Sequence, residues 1–302
     1  MTTTPAPATP PPFGRLLTAM ATAFHDDGSV DLDGTARIAA HLIDSGNDGV
    51  VVSGTTGESP TTTVEEDAEI LRAVKDAVGD RGTVIAGVGT NSTAHSTELS
   101  RQAEKVGVDA VLLVAPYYNK PGPAGMLHHF TEVAGAADLP VMLYDVPGRT
   151  GQAIPMSVYE KLATDDRFTT VKHATGDPTA TVPLSQLGYQ VYSGDDGLIL
   201  GYLAHGAVGL VSVVGHVAAG PLRTLIDQFE AGDNAAALGT YTSLLPAFDA
   251  VMGVTHYGAT TAKAGLQLLG VLDNRNVRGP LVPLDDAEVE ALRSGLTAAG
   301  LL

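Results

Sequence analysis

Eight short apolar runs, each followed by a stretch with helical spacing, do more than any other feature to limit what this chain can fold into. They lie at 16–20, 50–53, 84–88, 110–115, 141–144, 169–172, 191–193 and 208–213. Runs this short and this apolar are strands buried on both faces, and strands that alternate with helices build a parallel sheet. Eight such units predict an α/β chain folded as a (β/α)8 TIM barrel, which the 302 residues can accommodate. The helices carry their own punctuation. Thr63 and Glu66 form a capping box ahead of an apolar face at Leu71, Val74 and Val78, and Gly79 stands at the C-cap; Leu99, Ala103 and Val106 are closed in the same way by Gly107.

After residue 232 the alternation stops. Helical spacing continues through Leu238, Tyr241, Leu245 and Phe248, then 264–269, then Val289, Leu292 and Leu296. The expected organisation is a flexible tail of Thr, Ala and Pro over residues 1–12, a barrel catalytic domain over 13–232, and a C-terminal helical domain over 233–302, packed on the barrel or on a neighbouring subunit.

Charge and composition exclude several functions. With 17 basic against 34 acidic residues and no cluster of Lys and Arg, the chain is no candidate for binding nucleic acid or an anionic membrane. It has no cysteine, hence no disulfide and no thiolate chemistry. No stretch is long and apolar enough for a membrane span, and the N-terminus lacks the charged and apolar regions of a signal peptide, so the expected location is the cytoplasm. The nine histidines do not fall at ligand spacing, and no metal or cofactor is expected. Phosphate loops, dinucleotide fingerprints and the Gly-x-Ser-x-Gly elbow are absent.

In barrels of this kind the chemistry sits at the C-terminal ends of the strands. Lys172 ends the sixth run and is followed by a glycine-bearing loop; a lysine so placed loses hydration, its pKa falls, and the neutral amine becomes a nucleophile suited to Schiff-base chemistry. Tyr144 ends the preceding run, within proton-transfer reach of anything bonded to that amine. The turn Val146-Pro147-Gly148 presents Arg149, a partner for a carboxylate. The loop Ser53-Gly54-Thr55-Thr56-Gly57-Glu58 offers hydroxyls and backbone amides to a small anion. Tyr117 and Tyr118 form an aromatic pair between prolines, suited to an interface or a lid. Asp195 and Asp196 read either as a metal-binding pair or, more simply, as a helix cap.

Taken together, Gly54-Thr55-Thr56-Gly57-Glu58, Tyr117-Tyr118-Asn119, Tyr144 with 146–151, Lys172 with Ala174-Thr175-Gly176, and 193–196 resemble the dihydrodipicolinate synthase family, of the superfamily of pyruvate-dependent Schiff-base aldolases. The resemblance implies condensation of pyruvate with L-aspartate 4-semialdehyde to 4-hydroxy-tetrahydrodipicolinate, on the route to diaminopimelate and lysine. It implies an imine at Lys172, a hydroxyl relay of Tyr144, Thr55 and Tyr118, with Tyr118 supplied by a neighbouring subunit, and Thr56 on the pyruvate carboxylate. Arg149 would hold the semialdehyde carboxylate, Gly194 and Val211 would line the pyruvate pocket, and the chain would be a homo-oligomer, a dimer or a dimer of dimers (a homotetramer). Sialic acid lyases and 2-keto-3-deoxy-sugar-acid aldolases or dehydratases of the same superfamily are the alternatives, with a non-catalytic oxo-acid-binding barrel more remote. Arg149 separates the first reading from those with polyol acceptors, which need neutral partners.

Two residues depart from the family pattern: His173, where an acid is usual, and His216, in place of an asparagine. In a strand His173 points away from Lys172, so its role is structural. Asn91 and Tyr117 match the cleft in which many members bind lysine, but His95 replaces a carboxylate and Val64 and Asp67 replace histidines. Weak or absent inhibition by lysine follows.

Overall fold

Each of the eight runs becomes a strand. The structure, a computed structural model describing residues 10–253 and 258–302, contains β1 Leu16–Ala19, β2 Gly49–Val52, β3 Thr83–Gly87, β4 Ala110–Val114, β5 Val141–Asp145, β6 Phe168–His173, β7 Gln190–Ser193 and β8 Gly209–Ser212. Neighbours pair in parallel in chain order, and β8 returns to β1, with Leu17 opposite Val211 and Thr18 opposite Ser212. The barrel is therefore closed and leaves no free edge.

Side chains alternate across the sheet. Leu17, Val51, Ile85, Leu112, Met142 and Val211 fill the interior, while Val50, Val84, Val111 and Leu143 pack outward against the helices. Around the barrel run α1 Leu32–Asp44, α2 Val64–Val78, α3 Thr93–Val106, α4 Pro123–Ala134, α5 Pro147–Thr150, α6 Met156–Leu162, α7 Thr181–Gln186, α8 Ile199–Ala204 and α9 Gly215–Glu230. The capping box of Thr63 and Glu66 forms at the start of α2, and Gly107 closes α3 in a left-handed conformation.

Three helices follow: α10 Asn234–Met252, α11 Gly258–Leu268 and α12 Asp286–Ala298. They lie over the seam where the first and last strands meet, since Leu16 and Leu210 share one core cluster with Leu244, Phe248, Leu292 and Leu296. The buried face of α10 is Ala237, Leu244, Ala247, Phe248 and Val251. Leu238 and Leu245, which the periodicity joins to Phe248, instead stand 56% and 39% exposed on the outer side. Of the residues read as a tail, 1–9 lie outside the described residues, and Pro12 bridges to Gly14.

Candidate active site

Lys172 and Tyr144 are brought together by strand register: β5 and β6 pair so that the two residues stand opposite each other at the C-terminal end of the barrel. Lys172 is 4% exposed, and its Nζ lies 4.5 Å from the centroid of the Tyr144 ring. It has no hydrogen-bond partner among the described residues. Burial pulls its pKa down to about 8; Asp196 and Asp195 oppose the fall and Arg149 adds to it. Near neutrality the amine is thus available to attack a carbonyl. Burial also pushes the Tyr144 phenol up to about 12, so it remains a proton donor. Gly194 makes the space: a Cβ there would lie 3.2 Å from Lys172 Cε and 2.7 Å from Ala174 Cβ.

The Thr55-Thr56 loop follows β2. Its turn is closed by bonds from Glu58 N to Thr55 O at 3.1 Å and from Ser59 N to Gly54 O at 3.3 Å, which leaves Thr56 buried and Thr55 half-buried at the mouth. Thr56, Lys172, Ala174, Gly194 and Val213 line a deep pocket of about 70 Å³, several times the ~10–15 Å³ that one water needs. It shares Gly54, Thr55, Tyr144 and Arg149 with an outer cavity of about 550 Å³, which Tyr117 and Tyr118 also line.

Val211 packs in the barrel interior in one cluster with Ala19, Val51, Leu112 and Tyr144, four residues that line the deep pocket. β8 ends at Ser212, and Val213, two positions on from Val211, lines the pocket itself. Arg149 does reach the mouth, but on a single helical turn rather than a Pro-Gly β-turn. Pro147 suits the first position of a helix, Thr150 N bonds Val146 O at 3.0 Å, and Gly151 at φ 79° closes the turn.

Asp196 does not cap the helical turn that follows β7. Its carboxylate accepts from Ser212 Oγ and from Val213 N at 2.9 Å, fixing the exit of β8. Among the described residues no group of three or more His, Asp or Glu is placed to hold a metal. His173 points away from the pocket, where its Nδ1 lies 2.9 Å from the Tyr202 hydroxyl. His216 Nε2 accepts from Ala21 N at 3.0 Å, and its Nδ1 lies 2.7 Å from Val213 O. Both contacts are satisfied only by the neutral ring protonated at Nδ1; burial, which pulls its pKa down to about 4, keeps it so.

Sequence reasoning missed two groups. Asp145, next to Tyr144, faces outward and accepts from Ile154 N at 3.2 Å and from the Tyr159 hydroxyl at 3.2 Å, tying down the far end of the segment that carries Arg149. Lys263 is the second lysine whose pKa burial pulls down to about 8. Unlike Lys172 it is saturated, by the carboxylate of Glu58 and by Asn276 O at 2.7 Å. A low pKa alone does not make a lysine available to a substrate; access is also needed.

Beside the outer cavity lies another of about 210 Å³, lined by Asp67, Thr90, Asn91, His95 and Tyr117. Asp67 is its one acid. Burial raises the Asp67 pKa to about 6, and its Oδ1 accepts from Thr62 Oγ1 at 2.8 Å.

The sequence pattern of the dihydrodipicolinate synthetase family matches residues 12–299. A 4-hydroxy-tetrahydrodipicolinate synthase of Kineococcus radiotolerans is 50% identical over 293 residues, 96% of this chain and 94% of that one. Among solved structures, a dihydrodipicolinate synthase from Bacillus anthracis superposes with a TM-score of 0.90 at 40% identity, covering 94% of this chain and 98% of the other. The enzyme from Cyanidioschyzon merolae with lysine bound does so with a TM-score of 0.92 at 38% identity, covering 96% and 99%.

Proposed function

This chain belongs to the dihydrodipicolinate synthetase family of lyases, and from that premise we propose that it condenses pyruvate with L-aspartate 4-semialdehyde on an imine at Lys172, forming 4-hydroxy-tetrahydrodipicolinate on the way to diaminopimelate and lysine. The observation that carries the mechanism is a buried lysine, without a hydrogen-bond partner among the described residues, set against Tyr144 in a pocket that also holds Thr56 and opens beside Arg149.

The neutral Nζ of Lys172 adds to the pyruvate carbonyl, and loss of water gives the imine. Loss of a methyl proton then gives the enamine, whose carbon attacks the aldehyde of the second substrate. The amine of that substrate closes the ring on the former carbonyl carbon and releases Lys172. Thr56 and nearby backbone amides hold the pyruvate carboxylate, while Gly194 and Val213 shape its pocket. Tyr144 and Thr55, with Tyr118 of a second copy, pass protons to and from the reacting oxygens. Turnover of the two substrates, followed through a coupled reductase, tests the assignment: no product would end it.

Arg149 serves the second substrate. Arg149→Ala is expected to raise the semialdehyde KM by about 10–100-fold, the worth of a charge-assisted pair, and to leave the pyruvate KM nearly unchanged. Steady-state kinetics in both substrates will show it; equal loss in both would make Arg149 structural.

The chain works as a homo-oligomer, a dimer or dimer of dimers. Tyr118 stands 88% exposed at φ 69°, an unfavourable conformation for a residue with a side chain, and Leu238 and Leu245 leave apolar surface on α10. Sedimentation at assay concentration should find no active monomer, and Tyr118→Phe should lower kcat by about 10–100-fold without unfolding the barrel.

Lysine is expected to inhibit weakly, with no effect below about 1 mM. Its ammonium, once removed from water, needs a free carboxylate. His95 supplies none, and Asp67, whose pKa burial raises to about 6, shares its carboxylate with the Thr62 hydroxyl and offers the ammonium only part of one. Titration of lysine into the same assay decides this. The division into a barrel over 13–232 and a helical unit over 233–302 belongs to the proposal, as does residence in the cytoplasm, where pyruvate is made. Among the described residues, no helix is long and apolar enough to cross a membrane.

A further inference from the structure

The loop that carries Thr55 and Thr56 is gripped from behind by a buried ion pair that takes no part in the chemistry. Lys263, on α11, meets the carboxylate of Glu58, and both side chains are 1% exposed. The lysine donates a second bond to Asn276 O at 2.7 Å, while the other Glu58 oxygen accepts from Arg278 N at 2.9 Å. The Phe24 ring lies against both cations, with its centroid 4.2 Å from Lys263 Nζ and 4.5 Å from the Arg278 guanidinium carbon. Arg278 then reaches Thr61 O and Gly28 O, each at 2.8 Å, and pairs with Glu66. The C-terminal segment is thus clipped to the far side of the active-site loop.

The clip acts on backbone shape. Glu58 sits at φ 61°, ψ 31°, a left-handed conformation that a residue with a Cβ holds only when its surroundings impose it. From there its N–H bonds Thr55 O at 3.1 Å, so the orientation of Glu58 sets the turn containing both threonines. Apolar packing has no direction and would leave that turn free to rock. Two oxygens held by donors from different segments fix it.

We propose that Glu58 and Lys263, backed by Arg278, are positioning residues that hold the turn so that Thr56 meets the carboxylate of the bound oxo acid and Thr55 stays in the proton relay. The inference rests on the proposed pyruvate-imine reaction and adds to it a requirement for residues of the C-terminal region.

The test is the paired variant Glu58→Gln with Lys263→Met in the full chain, which removes both charges at nearly constant volume. The expected result is a folded protein whose pyruvate KM rises about tenfold or more while the semialdehyde KM stays within about threefold, with borohydride still trapping pyruvate on Lys172. Lys263→Met alone, which strands the Glu58 charge, should be worse than the pair. If the pair does not fold, Arg278→Ala releases Thr61 and Gly28 with the ion pair intact, and a pyruvate KM raised about threefold is expected. An unmoved pyruvate KM in a folded variant overturns this inference alone. A wild-type chain that traps no pyruvate overturns the reaction assignment and the inference with it.

Discussion

Lys172→Ala is expected to lower turnover by on the order of 10⁴-fold or more, because in the proposed reaction it removes the atom on which every covalent intermediate is built. Borohydride reduction in the presence of pyruvate should fix an adduct to Lys172 of the wild type and to nothing in the variant, read by peptide mass. The pH dependence follows from burial. Only the neutral amine attacks, so trapping should quicken as pH rises and level off above about 8, the value to which burial brings this lysine. An adduct on another lysine, or a trapping rate flat from pH 6 to about 10, a range on both sides of that value, would sink the mechanism.

Tyr144→Phe is the second large effect, about 10²–10³-fold in kcat, the usual worth of a positioned proton donor. The fold should not notice. The phenol has no hydrogen-bond partner among the described residues, and the ring that packs against Lys172 is kept, so thermal unfolding should shift by no more than a few degrees. Restored activity with an added small acid would agree with a proton-transfer role. A variant that is active but unstable would make the residue a packing element.

How much of this was legible follows from where information is local. The strands could be read because each is a short apolar run between turn signals, and Lys172, Tyr144 and Thr56 could be placed around one pocket because they lie at strand ends. That Val213 lines the pocket turns on where β8 stops, which Asp196 influences from the preceding strand's loop by accepting from Val213 N. Lys263 was out of reach. Its partner Glu58 is 205 residues away, and within Ala262-Lys263-Ala264-Gly265-Leu266 the only hint is a lysine on a helix whose residues from Gly258 to Leu266 are all buried. Outward-facing Leu238 and Leu245 show the same limit, since periodicity finds an apolar stripe without saying what covers it.

The seam between β1 and β8 bears on how the chain is made. Leu16 pairs with Leu210, so the closing contact joins segments about as far apart as a barrel allows, and the helices that cover it come later still. Contacts of long sequence separation form slowly, because the chain between them must be ordered first. During synthesis the first strand therefore waits on the ribosome with its hydrogen-bonding edge open while most of the polypeptide is added. An unpaired apolar edge is a template for association with other nascent chains. Slower synthesis, cooler growth and chaperone supply are accordingly expected to govern the yield of folded protein more than any change at the catalytic pocket.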